Sequence, residues 1–327
     1  MNTNMQDFLE TRPTLRYVYF GGKGGVGKTV MAGATALWFA QQGKKTLLAS
    51  TNPVHSLSNL LDQNVFGKAT EVDQGYGLYA LEIDTRETIE RSKTEIREKV
   101  NWFLKFADIP TKAEDFVESA TMNPAFEESA MFENMIDLIM DDKYEVYVFD
   151  TAPTANARRL LGMSQVYGLW VDKMLQSRKE ARDTRISLSF RKKKEEEQED
   201  PLLTYLSSFR DRIERMRVLL TDDSKTAFFF VTLLESLPIA VIKRFIGWFH
   251  DFGIPIGGVV VNQVIDDSQL DENTTQFVLN RVQMQKKYLE EAQQSFERIL
   301  GMVPLMEKEV RGVPMIARVA SNLFPGI

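Results

Sequence analysis

The chain has 327 residues, 43% of them hydrophobic and 26% charged, with a net charge of −6, no cysteine and two histidines. That length suits one large α/β domain or two smaller ones, and the composition is that of a soluble globule rather than a general nucleic-acid binder, which is usually basic. Without thiols there can be no disulfide, thiolate zinc site, iron–sulfur cluster or thiolate-bound arsenite, and His55 and His250 are too few for a metal site of their own.

In chain order, Met1 to Thr14 is polar and mildly acidic, so no signal peptide is expected, and no run of about 18 apolar residues predicts a membrane span. The expectation is a cytoplasmic protein. The apolar stretch Tyr17-Val18-Tyr19-Phe20 then leads into Gly21-Gly22-Lys23-Gly24-Gly25-Val26-Gly27-Lys28-Thr29. A strand, a glycine-rich turn and a helix make the setting of a P-loop, and the spacing Gly22-x4-Gly27-Lys28-Thr29 fits the pattern in full. Backbone N–H groups of Gly22, Gly24, Gly25, Val26, Gly27 and Val30 can wrap phosphates, Lys28 can reach the β and γ oxygens, and the Thr29 hydroxyl can ligate Mg²⁺. Lys23 is a cation that an ordinary P-loop lacks. Ala32, Ala34, Ala36, Leu37, Phe39 and Ala40 continue the helix, and Gly43 ends it.

Strand candidates at 15–20, 45–50, 77–83, 145–150, 226–232 and 257–262 alternate with helical patterns. This predicts an α/β fold, a P-loop NTPase with a mostly parallel central sheet flanked by helices. Four strand ends, carrying the P-loop, Ser50-Thr51-Asn52, Asp150-Thr151 and Asn262-Gln263, converge on the carboxyl edge where such sheets bind ligands. Residues 85–140 and 160–224 have little strand signal. Helical stripes there (Ile89, Ile96, Val100, Phe103, Leu104; Met131, Phe132, Met135, Ile136, Ile139; Leu206, Phe209, Ile213, Met216, Leu219) predict one inserted helical subdomain. The nucleotide core is then 1–84, 141–159 and 225–327, and the charge block at 191–200 reads as a solvated, flexible loop.

Val146-Tyr147-Val148-Phe149-Asp150 is a buried-strand pattern ending in a carboxylate, as a Walker B does, so Asp150 would hold Mg²⁺ directly or through water. Thr151, Ala152 and Pro153 follow as a segment able to respond to the γ-phosphate. Ser50, Thr51, Asn52 and Pro53 resemble a switch I loop. The Asn262 amide can donate to and accept from the adenine edge, which favours ATP; read alone, it is also an ordinary turn residue.

These motifs, with Val261-Asn262-Gln263 and Glu309-Val310-Arg311-Gly312, occur in the order seen in the arsenite-pump and guided-entry (tail-anchored protein targeting) ATPases, a deviant Walker A family that this chain resembles over nearly its whole length. The resemblance implies a homodimer closing on ATP, Lys23 reaching the partner's phosphates, and Asn262 with Pro304 to Arg311 around adenine. It assigns catalytic roles to Lys23, Lys28 and position 52. Three residues depart from the family's pattern. Asn52 stands where an aspartate is thought to activate the attacking water, and an amide cannot take a proton, so slow hydrolysis is expected. Ala155 and Asn156 stand where switch II usually has glycine and histidine, which should stiffen that segment.

Methionine and aromatic residues concentrate at 102–140 and 160–175, and methionines suit a surface that must fit varied apolar helices. Trp102, Phe103, Met131, Met135, Leu161, Trp170 and Met174 are the candidate groove for a transmembrane helix, against the plainer reading of a subdomain core. The expected partners are a second copy of the chain, tail-anchored membrane proteins and a membrane receptor, with no nucleic acid; the expected cofactors are ATP and Mg²⁺, with no zinc or iron–sulfur cluster. The alternative is the motor of an arsenite or anion efflux pump, without cysteine-based metalloid activation.

Overall fold

The computed structural model describes residues 4–51, 56–84, 86, 89, 90, 93, 94, 97, 131, 134–150, 172, 173, 176 and 201–325, with backbone alone at 201–206, 209, 213 and 269. The chain divides into two compact units. One comprises Met1–Asp84, Asp137–Asn156 and Leu220–Ile327; the other comprises Thr85–Ile136 and Ala157–Leu219.

Eight described strands form one sheet in the first unit: β1 (Tyr17–Gly21), β2 (Thr46–Ser50), β3 (Thr70–Glu71), β4 (Leu78–Glu82), β5 (Val146–Asp150), β6 (Thr226–Thr232), β7 (Ile256–Val264) and β8 (Ile299–Pro304). Their spatial order is β3-β4-β2-β5-β1-β6-β7-β8. Every neighbouring pair is parallel except β3–β4. The described helices are α1 (Met5–Glu10), α2 (Lys28–Gln41), α3 (Ser56–Leu61), α4 (Pro201–Thr221), α5 (Ser236–Asp251), α6 (Gln276–Ser295) and α7 (Val313–Leu323), and residues 134–140 are also helical. Among the described residues no helix is long and apolar enough to cross a membrane.

Strands β1, β2, β5 and β6 are buried at every position. Parallel strands covered on both faces read as unbroken apolar runs, and these four were visible in the sequence for that reason. On one face Tyr19 stacks between Phe149, with ring centroids 4.9 Å apart, and Phe228, at 4.4 Å. On the other, Phe20 and Phe229 join a core with Ala32, Ala36 and Ala40 of α2, small residues that bring the helix close to the sheet.

Two strands were not anticipated. Thr70–Glu71 is too short to leave a pattern. The edge strand β8 carries Gly301 and ends in Pro304, with an irregular burial pattern; proline is tolerated there because an edge has fewer ladder bonds to lose. Of the predicted helical stripes, Met135, Ile136, Ile139 and Met216 are buried. The stripe residues Ile96, Val100, Phe103, Leu104 and Phe132 and the block at 191–200 lie outside the described residues.

Candidate nucleotide site

The central strand β1 delivers the chain to the P-loop, and the order of the sheet reverses direction on either side of it. This is where ligands bind in open parallel sheets. Two glycines are required by the geometry. A Cβ on Gly22 would sit 2.5 Å from the Val231 carbonyl oxygen, and Gly27, the residue before α2, has φ +96° and would drive a Cβ into Asn262 Nδ2. At Gly24 and Gly25, by contrast, an added Cβ would meet no heavy atom within 4 Å. The crest of the loop therefore faces open space beside the N-terminus of the 14-residue α2, the arrangement that receives phosphate.

Asn262 braces the loop from β7. Its Nδ2 donates to the Val26 carbonyl at 2.9 Å, and its Oδ1 accepts from Gln263 N at 2.8 Å. Gln285 of α6 locks the next turn, donating to Gln263 O and accepting from Ile265 N, both at 2.9 Å. Pro304 ends β8 and lines a cavity of about 320 Å³ with Val264, Ile265, Leu305, Met306 and Glu307. A larger hollow, about 470 Å³, lies around Phe8, Arg12, His250 and Arg298 and includes none of the predicted site residues.

Lys28 is buried and its Nζ donates to the Lys23 carbonyl at 3.2 Å. Burial lowers its pKa, and the charge of Asp150 opposes that shift. Lys23 itself is exposed, whereas Val26 is buried and Val30 packs partly buried against the core. Asp150, 1% exposed, accepts from the Thr29 hydroxyl at 2.6 Å and from the Ser50 hydroxyl at 3.4 Å. Burial pushes its pKa up, while Thr29, Lys28 and Ser50 pull it down. The Asp150 carbonyl accepts from Thr51 N at 3.0 Å, so the start of the predicted switch I is tied to the end of β5. A buried carboxylate flanked by two hydroxyls is a set of hard oxygen donors that fits a small divalent cation.

Lys28, Thr29, Ser50, Thr51 and Asp150 are thus brought together at one edge of the sheet. The predicted switch residues Asn52, Pro53, Thr151, Ala152 and Pro153, the departures Ala155 and Asn156, and Trp102, Phe103, Leu161, Trp170 and Met174 lie outside the described residues. Of the candidate groove, Met131 is half-buried and Met135 is 5% exposed. One buried carboxylate escaped the sequence reading: Glu82, which ends β4 as Asp150 ends β5. An apolar strand stopping at an acid, Leu78-Tyr79-Ala80-Leu81-Glu82, was the available signal.

A P-loop leaving the central strand of a mostly parallel sheet, with a buried aspartate beside the loop's threonine, defines a P-loop nucleoside triphosphatase. The chain belongs to the anion-transporting ATPase family, whose sequence profile matches residues 15–325, and it is an ATPase. Similar proteins include ATPase GET3A of Arabidopsis thaliana, 31% identical over 94% of this chain and 83% of its own. ATPase get3 of Aspergillus niger is 30% identical over 99% of this chain and 94% of its own. A putative arsenical pump-driving ATPase 2 of Aquifex aeolicus is 29% identical over 91% and 95%.

Proposed function

We propose that this chain is an ATP-driven, cytoplasmic homodimeric switch that binds and shields the transmembrane segments of tail-anchored proteins and delivers them, through a membrane receptor, to the bilayer. The relatives named GET3, which cover 94% and 99% of the chain, support this. The core spans 1–84, 141–159 and 225–327; 85–140 and 160–224 form the client-binding part, a division supported by the two compact units.

In the core, P-loop N–H groups and Lys28 hold the triphosphate, Thr29 and Asp150 hold Mg²⁺, and Lys23 reaches the partner protomer's nucleotide. When bound, the metal supplies neutralisation of phosphate charge. The chain's own contribution is positioning and fixed charge, which dominate phosphoryl transfer. Asn262 and Pro304 flank the adenine. Asn52 orients the attacking water without taking its proton, which makes turnover slow.

The carrying observation is the P-loop braced by Asn262 and closed on Asp150 by Thr29, in a chain whose other half is rich in methionine and aromatic residues. Co-expression with a tagged tail-anchored segment tests it. Capture is expected to need ATP, to fail in Lys28→Ala, and to fail again when Met131, Met135 and Trp170 are made charged. A folded, ATP-binding dimer that captures nothing would favour the second reading, the motor of an anion pump, which the family description and the arsenical-pump relative support.

A further inference from the structure

The register of β7 against β8 slips near the end of β7. Val261 faces Met302 and Val264 faces Pro304, so Asn262 and Gln263 together stand opposite the single residue Val303. That is a β-bulge, a device that bends a strand and re-aims a side chain. Gln263 bears the strain of it, with φ +57°, a left-handed backbone that disfavours any residue with a Cβ.

Two side-chain amides take up the backbone groups of the bulged residue. Gln263 N donates to Asn262 Oδ1 at 2.8 Å, and Gln263 O accepts from Gln285 Nε2 at 2.9 Å. Gln285 Oε1 accepts in turn from Ile265 N at 2.9 Å, so both arms of one amide close on the same turn. Gln285 is 8% exposed and lies in the middle of the 20-residue α6. A polar side chain that deep is costly unless bonded, and here donor and acceptor are both used.

The bulge points the neighbouring amide at the phosphate loop. Asn262, 7% exposed, donates from Nδ2 to Val26 O at 2.9 Å, and Val26 and Gly27 lead directly into α2. Side chains alternate faces along a strand, so a one-residue change of register would turn Asn262 away from Val26. The shape of the bulge therefore sets the brace, and Gln285 holds that shape from outside the strand.

We propose that Gln285 is a positioning residue for nucleotide binding: by pinning the bulge at Gln263 it keeps Asn262 against Val26, and so keeps the loop in the conformation that receives phosphate. This rests on Gly22 to Thr29 as the phosphate site and is independent of the client. Full-length protein carrying Gln285→Ala, Gln285→Ala with Gln263→Gly, or Lys28→Ala would be compared with the parent. The measurements are equilibrium titration with a non-hydrolysable ATP analogue and Mg²⁺, and ATPase kcat and KM.

Gln285→Ala is expected to weaken analogue binding and raise KM roughly five- to twentyfold, the scale of one or two lost hydrogen bonds, while kcat stays within about threefold. Gln263→Gly, which takes the left-handed φ without strain, should restore most of the affinity to Gln285→Ala. A merely structural loss in α6 would not be repaired from that position. Should Gln285→Ala not fold, Gln285→Glu, which keeps the acceptor and loses the donor, carries the same comparison. Parent-like affinity in a folded Gln285→Ala, beside an impaired Lys28→Ala, would overturn the role of Gln285 and leave the phosphate site standing. So would a loss that Gln263→Gly does not repair, or one that falls on kcat instead of KM. If Lys28→Ala binds the analogue as tightly as the parent, the phosphate-site reading itself fails, and the proposal with it.

Discussion

Asn262 Nδ2 and the Val26 carbonyl meet at 2.9 Å across 236 residues of sequence, so the phosphate loop takes part of its shape from the end of β7. Asn262→Ala leaves a buried carbonyl unpaired and should destabilise the protein by about 1–3 kcal/mol, with weaker nucleotide binding. The same amide occupies the space a Gly27 side chain would need. Gly27→Ala should therefore cost less in an Asn262→Ala background than in the parent; the left-handed φ remains and accounts for about 1–2 kcal/mol in either. A double-mutant cycle by chemical denaturation checks the coupling, and strict additivity would refute it.

Lys28 and Asp150 are two buried charges held beside the loop. Removing the cation with Lys28→Ala should lower kcat by roughly 10²–10³-fold, the scale of losing one preorganised charge-stabilising group. Steady-state ATPase assays at saturating Mg²⁺ and ATP measure it.

Burial raises the pKa of Asp150, so the folded, ligand-free protein disfavours its ionised form. Stability associated with the protonated form is complete below the unfolded carboxylate pKa and is lost as pH rises through the higher folded value. Asp150→Asn should thus melt at a higher temperature than the parent at neutral pH without ligand, the gap closing on acidification. The extra stabilisation given by Mg²⁺ and ATP together should disappear in that variant. A melt series from acidic to neutral pH, with and without ligand, reads both effects.

Placing a carboxylate at position 52 should speed turnover. General-base catalysis supplies roughly 10²–10⁴-fold, so Asn52→Asp is expected to raise kcat towards the lower part of that range with little change in KM. No increase at saturating ATP would show that an oriented water suffices.

Tyr19 is fully buried between two phenylalanine rings, and its hydroxyl has no hydrogen-bond partner among the described residues. Tyr19→Phe keeps the stack and removes the orphan, and should stabilise the fold by roughly 1 kcal/mol. Burial also holds the Tyr19 pKa well above its ordinary value of 10.0. A raised folded pKa gives stability that is complete below the unfolded value and lost as pH rises beyond it, so the parent should weaken in alkali more than Tyr19→Phe. Denaturant midpoints at neutral and strongly alkaline pH separate the two effects.

The division between what could be read and what could not follows the range of the interactions. Phosphate chemistry demands given residue types at short spacing, so Gly22 to Thr29 was legible as a loop, and Asp150 as the end of a strand. Strands buried on both faces wrote themselves as apolar runs at β1, β2, β5 and β6. β3 and β8 were hidden, one too short and the other broken by glycine and proline.

By itself, then, the sequence of this ATPase determined its class, its glycine-rich loop and the acid that ends β5, because those features are local. Only the tertiary structure decided that Asn262 braces Val26 and that Thr29 closes on Asp150. Each of those contacts joins residues far apart in the chain through the pairing order and register of the sheet, and no local pattern encodes which strand ends will stand side by side.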